Sequence, residues 1–246
     1  MIDYGLDLSE VDHRRALPGL VAEGDELDAL VAAEADWTRP TPAAGWTIAH
    51  QIAHLAAADA NVLVAVRTPE AFEETPEDAD AVAAAGAAEP RAALLERWRT
   101  GRAEVAAALR NVQQFPWFGS AVTPTLMVPL RLMETWAHGQ DVFDTLGVAH
   151  PATGRLRPIA ALGVQGRTLS FHAAQLPIPA EPFRLELTGP GGETWTWGPA
   201  HAAQRIRGSA LDFCLRVTHR RALAETGLTA TGEDARTWLE IARVFL

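Results

Sequence analysis

No lysine occurs in this 246-residue chain, so all 21 of its basic side chains are arginines. With the heavy use of alanine, that reflects the codon bias of a GC-rich genome rather than a function. Basic runs are missing too, and 31 acids against 21 bases give a formal net charge of −10. A net acidic chain without a basic stripe is a poor partner for nucleic acid. It also lacks the polybasic patch that anionic membranes attract. The single cysteine, Cys214, excludes an internal disulfide framework. It stands in the apolar helical pattern ALDFCLRV and reads as a buried, inert thiol. The opening MIDYGLDLSEVDHRR has no apolar signal core, and no apolar run approaches about 20 residues, so neither export nor a membrane span is expected. The expected location is the cytoplasm. No G-x-G-x-x-G joins a strand to a helix, and neither a P-loop nor a G-x-S-x-G elbow is present. GPGG at 189–192 precedes a strand rather than a helix, so it is a hairpin turn and not a phosphate cradle.

What is present is helical for the first 150 residues. Leucine and valine recur at helical spacing through 8–36, with Pro18 as a start or kink. TRPTPAAGW breaks that pattern, and Thr47 is placed to cap a second helix from residue 48. Residues 68–90 are acidic and alanine-rich and read as a loop or partly helical excursion. A third helix spans 91–112, QFPWFGSAVTP is a turn-rich connection, and a fourth helix covers 125–147, with Pro129 able to delay its start. Four amphipathic helices with modest connections predict a helix bundle over 1–150. The remainder, 155–246, changes character. LRPIAALGVQGRTLSFHAAQL reads as helix, PFRLELTGPGGETWTWG as a β-hairpin, HAAQRIRGSALDFCLRV as a short strand and helix, and the end of the chain as a helix. The whole is predicted α+β, as two domains.

The fourth helix carries Glu134, His138 and Asp141 along one stripe with Met127 and Leu130. Residues four apart lie one turn apart on one face, so Glu134 and His138 can aim at a single point. Ionisable groups facing a bundle core are costly unless they are paired or hold a metal. The second helix offers His50 and His54, again four apart, with His54 deeper in the helix. His54, Glu134 and His138 make a two-histidine, one-carboxylate set that suits catalytic Zn²⁺ and also non-haem iron. Asp141 is placed to fix the tautomer of a liganding imidazole. The plainer alternative is a surface Glu–His pair, because E-x-x-x-H alone has little specificity. His50, near its helix start, is expected to bond backbone or meet water. His13, His150, His172, His201 and His219 have no partner at ligand spacing and read as surface or structural. WFG at 117–119 is either a turn packed on the bundle or a pocket entrance.

Two segments carry a resemblance. GWTIAHQIAHLAAAD at 45–59 resembles the second-helix signature of the DinB-like metal-binding bundle. More specifically, it resembles the N-terminal domain of mycothiol-dependent maleylpyruvate isomerase and its actinobacterial relatives. METWAHGQDV at 133–142 looks like the fourth-helix signature of that family: Glu, three residues, His, two residues, Asp. The tail, with its hairpin, GSALDFCLRVTHRR and closing helix, more loosely resembles the family's sterol-carrier-like C-terminal domain. The resemblance implies a divalent metal, usually zinc, on His54, Glu134 and His138 with water completing the site. It implies mycothiol as a co-substrate, and a small-molecule substrate with no nucleic-acid or membrane partner, for a monomer or homodimer. The family's isomerase uses an arginine of its C-terminal domain. Arg216, Arg220 and Arg221 lie in the comparable helix, and His219 interrupts them.

The implied chemistry is activation of a thiol for addition to an electrophilic carbon. Addition, rotation and elimination would isomerise an alkene, and addition alone would make this a transferase. Two alternatives stand beside it: a hydrolase or lyase that activates water without a thiol, and a metal-binding module without turnover.

Overall fold

The computed structural model describes residues 13–244 and gives side-chain environments from residue 16. The part of the first expected helix before residue 13 lies outside the described residues. The described chain divides into two compact units at the His150–Pro151 bond.

In the first unit, four long helices carry the architecture: α1 (His13–Ala33), α2 (Ile48–Arg67), α4 (Arg91–Ala108) and α5 (Pro124–Leu146). α1 packs on α5 and α2 on α4. The short α3 (Ala79–Ala87) lies on α2. Apolar residues at helical spacing make the core. Leu27, Val31, Ile48, Ile52, Leu55, Leu94, Trp98 and Val142 are buried in one cluster. Burying each such side chain contributes about 1.5–3 kcal/mol.

The helix-internal prolines, Pro18 in α1 and Pro129 in α5, do not end their helices. Pro129 does not delay α5, which begins at Pro124. Pro124 occupies the first turn, where its missing N–H is an orphan anyway, and Pro129 removes only one bond in the next turn. Gly147, with φ 67°, ends the helix in the left-handed conformation that glycine adopts at least cost.

The acidic excursion is partly helical, with Asp78 accepting from the N–H groups of Asp80 and Ala81 at the start of α3. The connection at 113–123 forms a two-stranded ribbon, β1 (Phe115–Trp117) and β2 (Ser120–Val122). Its two turn residues, Phe118 and Gly119, have φ 41° and 83°. Two positive φ values are what a tight hairpin turn needs to match strand twist.

In the second unit, a four-stranded sheet has the order β4-β3-β5-β6. The strands are β3 (Phe183–Thr188), β4 (Thr194–Trp197), β5 (Gln204–Ser209) and β6 (Thr229–Thr231). β3 and β4 form the expected hairpin, while β3 and β5 run parallel. Phe183, Leu185, Leu187 and Ile206 are buried. The helices are α6 (Leu156–Gln165), α7 (Arg167–Ala173), α8 (Ala210–Val217) and α9 (Glu233–Ile241). The single helix expected over 156–176 is two, separated at Gly166, where an added Cβ would lie 2.7 Å from the Arg243 carbonyl. Cys214 is fully buried, and burial pushes its thiol far above its ordinary range, so it stays protonated.

Candidate metal centre

His54 comes from the second turn of α2, Glu134 and His138 from the middle of α5. One oxygen of Glu134, Oε2, lies 3.2 Å from Nε2 of His54 and 3.3 Å from Nε2 of His138. The two imidazole centroids are 4.4 Å apart. Thus three ligand-type atoms from two remote segments meet at one point. Four ligands held about 2.0–2.1 Å from a tetrahedral zinc sit about 3.3 Å from one another. The donor set and its spacing therefore fit such an ion. The side chains of His54, Glu134 and His138 are 21%, 25% and 14% exposed, so the cluster is reachable from outside.

Charge and tautomer are set by neighbours. Burial pushes the Glu134 carboxyl up, but hydrogen bonds and charge from His138 and His54 outweigh it. The net effect holds the carboxyl well below the usual range, and it is an anion at neutral pH.

His138 Nδ1 is 2.6 Å from Oε1 of the fully buried Gln51. The Gln51 amide nitrogen donates to Thr41 Oγ1 (2.9 Å) and Asp141 Oδ2 (3.3 Å). With its nitrogen donating to both oxygens, the amide turns its own oxygen toward His138. Gln51 therefore takes the Nδ1 proton of His138, so the proton that bonds Nε2 to Glu134 is the one an ion would replace, leaving the Nε2 lone pair to that ion. Asp141, expected beside a liganding imidazole, is joined to His138 through Gln51. The sequence did not single out Gln51, although a glutamine between two histidines on an apolar helix face was a signal.

Trp46 covers one side. Its ring centroid is 5.4 Å from that of His54 and 5.8 Å from that of His138, and its indole N–H donates to Asp80 of α3 at 2.7 Å. His50 does not join the cluster atoms. Its Nδ1 accepts from the Thr47 N–H at 3.3 Å and closes the helix start. His150 is buried with Glu23, their atoms 2.7 Å apart, and stacks on Phe143. The sequence could not pair residues that lie 127 positions apart.

A cavity of about 270 Å³ opens beside His54 and Glu134. Trp117 and Phe118 of the ribbon and Pro76 and Val82 of the acidic excursion help to line it. Arg131 also lines it, one turn before Glu134, and is bound to the buried Asp59 of α2 through Nε (3.1 Å) and Nη2 (2.9 Å). Burial raises the Asp59 carboxyl, with Arg131 acting against that rise. A lone arginine in the apolar run PLRLM was the signal for this pair.

Of the three arginines expected in one helix, only Arg216 lies in α8, which ends at Val217, and each of the three donates to a backbone carbonyl. Arg216 donates to Leu239 (2.9 Å) and Glu240, tying α8 to α9. Arg220 donates to Thr218 (2.8 Å), and Arg221 to Arg220 (2.7 Å). His219 Nε2 lies 3.1 Å from the Ala242 carbonyl, and burial lowers its pKa.

Comparison with known proteins agrees with this architecture. The uncharacterized proteins Rv0036c and MT0041, from two strains of Mycobacterium tuberculosis, are each 50% identical over 240 residues, which is 92% of this chain and 93% of theirs. Crystal structures of the mycothiol-dependent maleylpyruvate isomerase and of a histidine-to-alanine mutant of it superpose with TM-scores of 0.63 and 0.62. Both are 18% identical and cover 91% of this chain and 94% of theirs, a likeness of fold. A model for wyosine base formation matches residues 179–231, the stretch from just before β3 to β6. The model for the mycothiol maleylpyruvate isomerase N-terminal domain matches residues 20–143, half of the chain and nearly all of the first unit, and the protein belongs to that family.

Proposed function

We propose that the protein is a metal-dependent enzyme that activates a low-molecular-weight thiol, mycothiol in the first instance, for addition to or isomerisation of an electrophilic small molecule. The observation that carries this is the convergence of His54 Nε2, Glu134 Oε2 and His138 Nε2, with the His138 tautomer held by Gln51. Those three residues would hold a divalent cation, zinc best by donor type and spacing. Such an ion supplies the positive charge that lets a thiol, or water, lose its proton near neutral pH.

The chain's own residues do the rest. One carboxylate and two neutral imidazoles leave a dication with net positive charge. Partial exposure leaves room for a further ligand. Trp46 shields one side of the cluster from water, and the cavity beside His54 and Glu134 receives the second reactant.

The test is turnover of electrophilic alkenes with and without a panel of thiols that includes mycothiol. Thiol-dependent product formation that disappears in Glu134→Gln, with helicity unchanged, is expected. Metal-dependent turnover indifferent to every thiol would instead identify a hydrolase or lyase.

A further inference from the structure

Resting on the thiol chemistry proposed above, we infer that the cavity beside the metal centre selects an uncharged, aryl-bearing carbonyl electrophile and rejects carboxylates, with Asp59 setting that preference.

The wall is the first ground. Met127, Leu130, Val82, Trp117 and Phe118 give the cavity an apolar, aromatic lining. The aromatic part is built rather than incidental. Phe72, Trp117 and Phe118 pack with ring centroids 4.9–5.4 Å apart. The Glu74 carboxylate accepts from the Gly119 N–H and ties the acidic excursion to the ribbon turn. Phe118 holds a φ of 41°, a conformation costly for a bulky residue, and so presents its ring at a position where the backbone favours asparagine or glycine.

Charge is the second ground. Among the described residues Arg131 is the one arginine that lines the cavity, and it is already paired with a carboxylate. Its Nε and Nη2 both donate to Asp59 Oδ1, and the pair is 4% and 6% exposed. The two-pronged fork that recognises a substrate carboxylate is therefore occupied. Nη1 makes no hydrogen bond among the described residues, which leaves one donor on a neutral pair. That donor suits a carbonyl oxygen. Glu77 and Glu134 also line the cavity, so a dication on the cluster would bring the lining only to neutrality. Moving a dianion from water into such a site is unfavourable.

The reaction balances without an oxidant. The thiolate sulfur forms a bond to the β-carbon of an enone and the C=C π pair shifts toward the carbonyl oxygen. The proton lost by the thiol is returned at the α-carbon. Arg131 Nη1 would donate to the oxygen on which charge builds.

The test uses calorimetry on protein re-equilibrated with Zn²⁺ and two saturated probes, 4-phenylbutan-2-one and its ring-carboxylated analogue. The neutral ketone is expected to bind about tenfold or more tightly than the carboxylated one. In Asp59→Asn the Arg131 charge is released, and the carboxylated probe gains about tenfold. Should that variant not fold, Phe118→Asn keeps the inference testable. It removes the ring but creates an Asn-Gly turn that prefers the same backbone, so stability holds or rises while the neutral ketone loses about tenfold in affinity. Equal affinity for the two probes in wild-type protein, or undiminished ketone binding in Phe118→Asn, overturns the inference. Ketone binding without any thiol-dependent turnover leaves it standing and removes the proposed function. Thiol-dependent turnover that favours a dicarboxylate over the neutral enone does the reverse.

Discussion

The side-chain oxygen of Gln51 lies 2.6 Å from Nδ1 of His138, and its amide nitrogen reaches Asp141 on the same helix as that histidine. This network holds a proton on Nδ1, the imidazole nitrogen turned away from Glu134. Gln51→Leu removes the acceptor and frees the ring to take the other tautomer. Metal affinity is expected to fall about 10–100-fold, the usual cost of losing a partner of a liganding histidine. Gln51→Glu restores an acceptor and is expected to retain more affinity than Gln51→Leu, despite its closeness to Asp141. Competition titration with a chromophoric chelator reads both. Wild-type affinity in Gln51→Leu would show that the network is only packing.

Trp46 gives the cluster an optical reporter. Its ring stands 5.8 Å from His138, centroid to centroid, with 21° between the planes. Adding Co²⁺ to metal-stripped protein is expected to quench tryptophan emission. In Trp46→Phe most of that quenching is lost while Co²⁺ still binds. Asp80→Ala removes the indole's hydrogen-bond partner and is expected to weaken the quenching without abolishing it. Equal quenching in wild type and Trp46→Phe would place the ion elsewhere.

Asp28 joins α1 to α4 through Arg99 and Arg102, at 2.7–3.0 Å. Burial raises its carboxyl, the two guanidinium groups outweigh burial, and the net shift is downward. The folded pKa therefore lies below that of the unfolded chain, about 3.9. The unfolded state binds more protons in that window, so stability falls as pH drops. The contribution is complete above about pH 4–5 and disappears as pH passes below the folded value. Asp28→Asn is expected to cost about 1–2 kcal/mol at pH 7, reduced by the partial exposure of Arg99, and clearly less at pH 2–3. Urea denaturation at the two pH values measures the difference. An equal cost at both would remove the ion pair from the explanation.

Much of the first unit was legible in the sequence because periodicity reports burial. The leucine and valine stripes became α1, α2, α4 and α5, and the four-residue spacing of Glu134 and His138 put both on one face. The ribbon at 115–122 was not legible. Its turn residue is Phe118, where hairpin turns normally signal asparagine, aspartate or glycine, and its strands are only three residues long. β6 was missed for the same reason of length, since Thr229–Thr231 becomes a strand only by pairing with β5. Pro129 misled the other way, because a proline early in a helix removes one bond and not the helix. The hidden parts of the site were the long-range polar pairs. Gln51 with His138 and Asp59 with Arg131 lie 87 and 72 residues apart, and local pattern cannot match such partners.

Metal content per chain tests the central claim most directly. Wild-type protein, purified and re-equilibrated with Zn²⁺ before desalting, is expected to carry about one ion by elemental analysis. His54→Ala, Glu134→Gln and His138→Ala, each with unchanged helicity, are expected to carry none or to lose it on desalting. A full equivalent of zinc retained by either histidine variant, or wild-type protein that leaves the column empty, would contradict a site shared by those three side chains.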